Sequence, residues 1–145
     1  MSELDALYQE LILDHAKHPR GRGFDEGWMD AAASHQRNPI CGDEITLRVR
    51  VSGDRIAEVA WEGAGCSISQ ASASMLAELV PGLARDDALA LVADFREALR
   101  SRGAIVLDED VFGDASALSG VSKYTARVKC AMLAWVALED LLGRS

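Results

Sequence analysis

Three cysteines and one aspartate are the residues of this chain whose types and positions could hold a metal ion. Cys41 stands in the turn-like segment NPICGD with Asp43 two positions later, Cys66 follows the segment GAG, and Cys130 lies on an apolar, helix-like stretch late in the chain. Zinc accepts thiolate sulfur and carboxylate oxygen in a tetrahedral shell. The four side chains therefore predict a four-coordinate zinc site. Its oxygen corner is expected to open most readily, because oxygen binds less softly than a thiolate.

Each of these residues also has a simpler interpretation. Free cysteine often serves as a small apolar core residue. For Cys130, on its alanine-rich helix, a role in the core and a role as a metal ligand are equally good interpretations. Cys41 and Cys66 lie in polar, glycine-rich turns where no core needs filling, which favours a functional role. The helix expected to start near Cys66 also favours its thiolate form. Asp43 alone would be an ordinary turn residue, but the cysteine beside it favours a ligand.

Other potential ligands are less favoured. His15 and His18 belong to the first predicted helix and its end, and His35 lies in a polar stretch with no partner in register. The acidic run at 108–110 is most simply a solvated loop. The sequence therefore favours the cysteines and Asp43.

The elements that must position these residues follow from hydrophobic periodicity. Helical spacing of apolar residues predicts helices at about residues 3–17, from Cys66 to Pro81, at 86–100 and at 123–142. Ser2 and Asp5 predict a capping-box-like start for the first of them. Alternation over 45–51, a turn at 52–55 and a second apolar run to Trp61 predict a β-hairpin. A short edge strand is expected at 28–35, and residues 105–120 are expected to be less regular.

These elements predict an α+β fold, a small three-stranded antiparallel sheet with helices packed on one face. The chain has 145 residues, of which 49% are hydrophobic, and this is enough for one domain to bury a core without covalent staples. No internal repeat or low-complexity linker is visible. We therefore expect a single domain of residues 1–145.

Composition also limits the partners and the compartment. With 15 basic and 23 acidic residues the net charge is −8, so no excess of positive charge is available to bind the phosphates of a nucleic acid. The odd number of cysteines, the lack of a leader-like N-terminal segment and the lack of a membrane-length apolar run predict a cytoplasmic protein with no membrane partner. Its thiols are expected to be free or metal-bound.

Five segments of the chain resemble the IscU/NifU-like iron–sulfur cluster assembly proteins. They are residues 7–15, 19–23, 38–43, 63–74 and 127–135, and they place all three cysteines in matching contexts. The resemblance implies an IscU/SufU-like fold, and the chain looks like the SufU-type branch. Scaffold members have a histidine where this chain has Lys129. They also carry a proline pair that residues 123–126 lack, and a shorter segment in place of 81–120.

The resemblance implies a function as well as a fold. SufU-type proteins hold zinc through residues that match Cys41, Asp43, Cys66 and Cys130, and they receive sulfur from a SufS-type cysteine desulfurase. By this resemblance Cys41 is the acceptor of a persulfide sulfur. The protein would be a zinc-dependent sulfurtransferase of iron–sulfur cluster biogenesis that supplies a downstream iron–sulfur scaffold.

Arg127 is a further candidate, because it lies one helical turn before Cys130 on the same helix face. It could offset the negative charge of the ligands or hold Asp43. An ordinary surface charge is an equally good interpretation.

Three alternatives stay open at this point. Thiolates bind iron as well as zinc, so the same ligands could assemble a [2Fe–2S] cluster on a scaffold protein. The site could also be a structural zinc module that docks partners. A zinc hydrolase with water in place of Asp43 is the least favoured alternative, because the His-x-Glu signature and any other evident general base are absent.

Overall fold

The computed structural model describes residues 3–39 and 42–143, with side chains described from residue 7 onward. The helices and strands follow in the order α1 (Glu3–Lys17), β1 (Ala32–Arg37), β2 (Glu44–Ser52), β3 (Arg55–Ala64), α2 (Ser67–Leu79), α3 (Arg85–Arg100), α4 (Glu109–Phe112) and α5 (Thr125–Gly143). Two 3-10 segments, Glu26–Trp28 and Gly113–Lys123, precede β1 and α5. Among these residues, no helix combines the length and the apolarity that crossing a bilayer requires.

The three strands form one antiparallel sheet in the order β1-β2-β3. The central strand β2 buries Ile45, Leu47 and Val49 on one face, because alternate residues of a strand point to opposite faces. The turn between β2 and β3 contains Gly53 at φ +63°, a left-handed conformation that glycine adopts without steric cost. The predicted hairpin is confirmed, and so is the three-stranded α+β fold.

Helices cover the apolar face of the sheet. The long helix α5 packs against β1, β2, α2 and α3. At the centre of the helical layer the rings of Phe95 and Trp135 are stacked with centroids 3.9 Å apart, and Phe112 lies beside both. One contiguous cluster of buried apolar residues runs from β2 to α5. That residues 1–145 form a single domain stays a prediction.

The opposite face of the sheet is covered by the irregular segment between α1 and β1. The Arg48 guanidinium donates hydrogen bonds to the backbone carbonyls of Trp28, Met29 and Ala31. The Arg50 guanidinium lies 3.9 Å from the centre of the Trp28 ring, a cation–π contact. Cationic side chains, rather than an apolar core, therefore hold the irregular segment against this face of the sheet.

Two of the predicted elements need correction. The edge strand predicted at 28–35 occupies Ala32–Arg37, and Trp28 ends a 3-10 turn instead. The Asp25 carboxylate caps this turn by accepting a hydrogen bond of 2.9 Å from the Gly27 N–H. This local hydrogen bond stabilises the turn at residues 26–28 relative to an extended strand. The strand begins only where pairing with β2 begins.

The segment 105–120 is more regular than its sequence indicates. It contains α4 and most of the second 3-10 segment, whose Ala115, Ala117 and Leu118 belong to the core. The predicted acidic loop is exposed, but Asp108 caps α4 by accepting a hydrogen bond of 3.0 Å from the Asp110 N–H. The expected capping pair at the start of α1 lies outside the described side chains. The other helices begin and end within two residues of their predicted bounds.

Candidate metal centre

Asp43, Cys66 and Cys130 converge at one end of the sheet, although they come from three separate elements. One ligand atom from each residue, a carboxylate oxygen and two sulfurs, lies within 4.8 Å of the other two. In a tetrahedral site with Zn–S bonds of about 2.3 Å, neighbouring sulfurs are about 3.8 Å apart. An upper limit of 4.8 Å is compatible with that separation. Cys41, the fourth predicted ligand, lies outside the described residues.

Backbone hydrogen bonds position Asp43 at the start of β2. The Asn38 N–H donates to the Asp43 carbonyl and the Gly42 N–H donates to the Asn38 carbonyl, each at 2.8 Å, so the loop between β1 and β2 is closed at its base. Gly42 adopts φ +76°, which favours glycine. The closed base fixes the backbone from which the buried Asp43 side chain reaches the site.

Cys66 is the N-terminal capping residue of α2, with an extended backbone at φ −71° and ψ 167°. Its thiol does not cap the helix, and its N–H donates a hydrogen bond of 3.3 Å to Asp43 Oδ1. The first turn of a helix carries unpaired N–H groups and positive partial charge. The start of α2 therefore places positive partial charge beside Cys66 and the Asp43 carboxylate.

Cys130 is almost fully buried on α5, with 2% of its surface exposed. A serine aligns its helix with α2. The Ser72 hydroxyl donates to the Ala131 carbonyl at 2.6 Å, and Trp135 Nε1 donates to Ser72 Oγ at 2.9 Å. Since Ala131 follows Cys130 directly, this buried connection fixes the distance between the helices that carry the two cysteines. Ser72 was not predicted as a positioning residue, because the sequence marks it only as a hydroxyl within a run of small residues.

The Asp43 carboxylate has one oxygen without a protein partner. Its Oδ2 is buried and makes no hydrogen bond among the described residues. Burial acts to raise the pKa of Asp43, but hydrogen bonds from the Cys130 and Cys66 side chains and from the Cys66 backbone hold this pKa below its usual value. A buried anionic oxygen without a partner is costly. A divalent cation beside Cys66 and Cys130 would remove that cost.

The absence of a side chain at Gly65 provides the space that the Asp43 carboxylate occupies. A Cβ atom at this position would lie 2.6 Å from Asp43 Cγ and 2.7 Å from Ser69 Oγ. Any side chain here would displace the aspartate, so the glycine is required for the close approach. The unpartnered oxygen, the two sulfurs and this cradle together fit a zinc ion.

The remaining candidates are not among the residues that converge in this group. Arg127 is exposed on α5, and in the described part of the chain its side chain makes no hydrogen bond or ion pair, with Asp43 or with another residue. His35 lies 3.7 Å from Glu44 across the sheet, and His18 is exposed. His15 is fully buried in a separate polar cluster.

The profile of the family described as NifU-like N terminal domain matches residues 7–131. The chain belongs to this family. It is 40% identical over 139 residues to the zinc-dependent sulfurtransferase SufU of Bacillus subtilis strain 168, which covers 95% of this chain and 90% of that protein. It is 39% identical over 145 residues to the iron–sulfur cluster assembly scaffold protein IscU of Streptococcus pyogenes serotype M1, which covers 100% of this chain and 88% of that protein. The resemblance to IscU/NifU-like proteins is confirmed.

Solved structures share the fold. A crystal structure from Fervidobacterium islandicum AW-1, described as an iron–sulfur cluster assembly scaffold protein for the SUF system, superposes with a TM-score of 0.79 at 33% identity, covering 94% of this chain and 97% of that one. The N-terminal part of a NifU-like protein from Brucella abortus has the same fold, with a TM-score of 0.81 at 24% identity and coverage of 99% and 96%. The protein is thus a member of the IscU/SufU family of iron–sulfur cluster assembly proteins.

Proposed function

We propose that this protein is a zinc-dependent sulfurtransferase that accepts persulfide sulfur at Cys41 from a SufS-type cysteine desulfurase. Zinc would be held by Cys41, Asp43, Cys66 and Cys130, and the sulfur would pass to a downstream iron–sulfur scaffold in the cytoplasm. The observation that carries the proposal is the buried, unpartnered Asp43 Oδ2 beside two cysteine sulfurs. The relative from Bacillus subtilis, which is named a zinc-dependent sulfurtransferase, supports it.

The burial of the other cysteines supports Cys41 as the acceptor. Cys130 is 2% exposed, so its sulfur is out of reach of a macromolecular partner. Cys66 is half-buried, and its backbone is tied to Asp43 and to the first turn of α2. Cys41 stands two positions before Asp43, and the covalent chain keeps its Cα within about 7 Å of the Asp43 Cα.

The transfer is a thiol–persulfide exchange. The Cys41 thiolate attacks the outer sulfur of the persulfide on the desulfurase, and a new S–S bond forms between Cys41 Sγ and that sulfur. The bond from that sulfur to the desulfurase cysteine breaks, and this cysteine leaves as a thiolate. Bound zinc keeps its cysteine ligands deprotonated at neutral pH.

The other residues of the site position the reacting group. The Cys66 N–H holds one oxygen of Asp43, and the second oxygen makes no hydrogen bond within the described residues. The exposed Arg127 lies one helical turn before Cys130, and we propose that it offsets the negative charge of the thiolates and the incoming persulfide. Its guanidinium has no partner within the described part of the chain and is available for this role.

A scaffold that assembles a [2Fe–2S] cluster on the same ligands is the second candidate. The relative from Streptococcus pyogenes is named a scaffold protein and covers this whole chain at 39% identity. Two sulfurs and a carboxylate oxygen suit iron as well as zinc.

A desulfurase assay tests the proposal. The protein is mixed with a SufS-type cysteine desulfurase and cysteine, sulfide release is measured, and the persulfide is located by intact and peptide mass. We expect faster desulfurase turnover and one extra sulfur atom on Cys41, and we expect the Cys41→Ser variant to lose both. Turnover that does not respond to this protein would refute the sulfurtransferase function.

Two further measurements separate the candidates. A stable [2Fe–2S] absorption spectrum after anaerobic reconstitution, with no tightly held zinc in the purified protein, would favour the scaffold. For Arg127, we expect the Arg127→Ala variant to keep its zinc and to lose several-fold in desulfurase stimulation. Lys123→Ala, which removes a nearby exposed cation, is the matched control.

A further inference from the structure

A groove with a volume of about 580 Å³ lies between the end of β1, the C-terminal half of α3 and one face of α5. It is separate from the Asp43–Cys66–Cys130 group but close to it. Asn38 and Pro39, which begin the loop that carries Cys41, line one end, and Lys129, the neighbour of Cys130, lines another part. The proposed sulfur transfer gives this groove no role.

The groove is basic, although the protein as a whole is acidic. Five of the 15 basic residues of the chain line it, namely Arg37, Arg96, Arg100, Arg102 and Lys129. No aspartate or glutamate is found among its described lining residues, whereas the whole chain has a net charge of −8. A local excess of one charge that opposes the net charge indicates a binding surface for a ligand of the opposite sign.

Four of these cations have no partner among the residues that the structure describes. Only Arg96 is paired, through two hydrogen bonds of 2.8 and 2.7 Å to the Glu139 carboxylate. The side chains of the other four are exposed and make no hydrogen bond or ion pair within the described residues. Their donors are therefore free to bind carboxylates of another molecule.

The floor of the groove is apolar and elongated. Val128, Met132 and Val136 of α5 follow one another at intervals of four residues, and the almost fully buried Leu99 and Leu133 also line the groove. Eight residues of an α-helix span about 12 Å. The floor thus matches the apolar face of a short helix, which presents side chains at the same interval.

We propose that this groove binds a short amphipathic helix of an acidic partner protein. The aliphatic side chains of that helix would contact the α5 stripe, and its carboxylates would pair with Arg37, Arg100, Arg102 and Lys129. A nucleic acid would leave the apolar floor uncovered, whereas a helix with apolar and acidic faces satisfies both parts of the groove. The partner would be held beside the loop that carries Cys41. The inference does not depend on sulfur transfer.

A binding experiment with a defined probe tests this inference on the full chain. The probe is a fluorescein-labelled synthetic helix of about 14 residues with leucines at every fourth position and glutamates on the opposite face. Fluorescence anisotropy measures its affinity for the wild type and for two variants. Arg100→Glu reverses a charge in the groove. Lys17→Glu reverses an equally exposed charge that also lies in the last turn of its helix but outside the groove.

We expect Arg100→Glu to weaken binding of the acidic peptide at least about tenfold, and Lys17→Glu to change it less than about twofold. A peptide with serines in place of the leucines should also bind about tenfold more weakly. Lys129→Gln gives a second, milder test should Arg100→Glu lower the thermal midpoint.

Three results would overturn the inference. One is no saturable binding of the acidic peptide, and another is an equal loss with Arg100→Glu and Lys17→Glu, which would indicate only the long-range field of the protein. The third is self-association in sedimentation equilibrium that Arg100→Glu abolishes, since the occupant would then be a second copy of this chain.

Discussion

Two groups of potential metal ligands lie among the described residues, and they differ in whether their polar atoms already have protein partners. The first is Asp43, Cys66 and Cys130, and the second is His15, Glu78 and Asp114. In each group one ligand atom per residue lies within 4.8 Å of the others. Both groups therefore meet the same distance limit.

The second group is already paired within the protein. His15 Nδ1 is 2.7 Å from Ser74 Oγ, and its Nε2 is 2.9 Å from Asp114 Oδ2. Glu78 lies 3.5 Å from the guanidinium of Arg20. These contacts join α1, α2 and the 3-10 segment before α5. In the first group, by contrast, Asp43 Oδ2 is buried without a partner. An unsatisfied buried ligand atom, rather than proximity, thus distinguishes the first group as the candidate metal site.

The largest expected effect is the loss of zinc from the first group. We expect Cys130→Ser to lower the zinc content from about one ion per chain to near zero after dialysis against a chelator, since a structural thiolate ligand is removed. Asp114→Asn, in the second group, should leave the zinc content unchanged. Atomic emission spectroscopy measures both. Equal zinc loss in the two variants would remove the distinction between the groups.

Replacing His15 should affect stability instead of zinc. His15→Ala leaves a cavity and deprives Ser74 and Asp114 of a buried partner, so we expect a loss of about 2–4 kcal/mol in the free energy of unfolding. His18→Ala, at the exposed end of the same helix, should cost less than about 0.5 kcal/mol. Urea denaturation measures both, and zinc content should stay at the wild-type level. If His15→Ala releases zinc, the second group binds metal as well.

A substitution at Gly65 tests whether the first group binds zinc through Asp43. Gly65→Ala places a Cβ atom against the Asp43 carboxylate, so we expect zinc affinity to fall about tenfold or more and stability to fall by about 1–3 kcal/mol. Gly120→Ala is the matched control, because a Cβ there meets nothing within 4 Å. Competition with a chromophoric chelator measures the affinity. An unchanged affinity in Gly65→Ala would show that Asp43 is not a ligand.

The smallest effect is expected for the ion pair of Arg96 and Glu139, whose charged groups bind each other but whose side chains are partly exposed. A hydrogen bond from Arg96 lowers the pKa of Glu139, against the opposing effect of burial. Because the folded-state pKa is depressed, the stabilisation is present above the unfolded value of about 4.3 and is lost as the pH falls through the folded value. Both side chains are partly exposed, so the contribution should be no more than about 1 kcal/mol.

Unfolding of Glu139→Gln and wild type between pH 3 and pH 7 measures this contribution. The two stabilities should differ at neutral pH and converge at acidic pH. A difference that persists at pH 3, or one of several kcal/mol, would mean that this pair behaves like a buried cluster rather than a screened one.

Much of the architecture could be predicted because it is encoded locally. The alternation in β2 and the four-residue spacing in the helices reflect which side chains face the core, and the structure confirms both. The site residues could be named from their types and from the glycine-rich context of Cys66. For Asp43 and Cys130, the structure adds burial and proximity to Cys66.

The structural features that the sequence did not predict depend on contacts between distant segments. The bounds of β1 follow from its pairing with β2. The 3-10 segment 113–123 becomes part of the core because α1, α2, α3 and α5 all pack against it. His15 has an unremarkable position in the sequence, yet it is fully buried because Ser74 and Asp114 meet it there. Local spacing carries no information about such partners.

The sequence by itself determined the element types, the candidate ligands and the family to which the chain belongs. The packing of the elements adds three features. Asp43 has an oxygen with no partner among the described residues, Ser72 and Trp135 align the two cysteine-bearing helices, and basic residues from three elements share one groove. The physical reason is that periodicity reports how a residue faces its own element, whereas satisfaction of polar groups and surface charge depend on which elements meet.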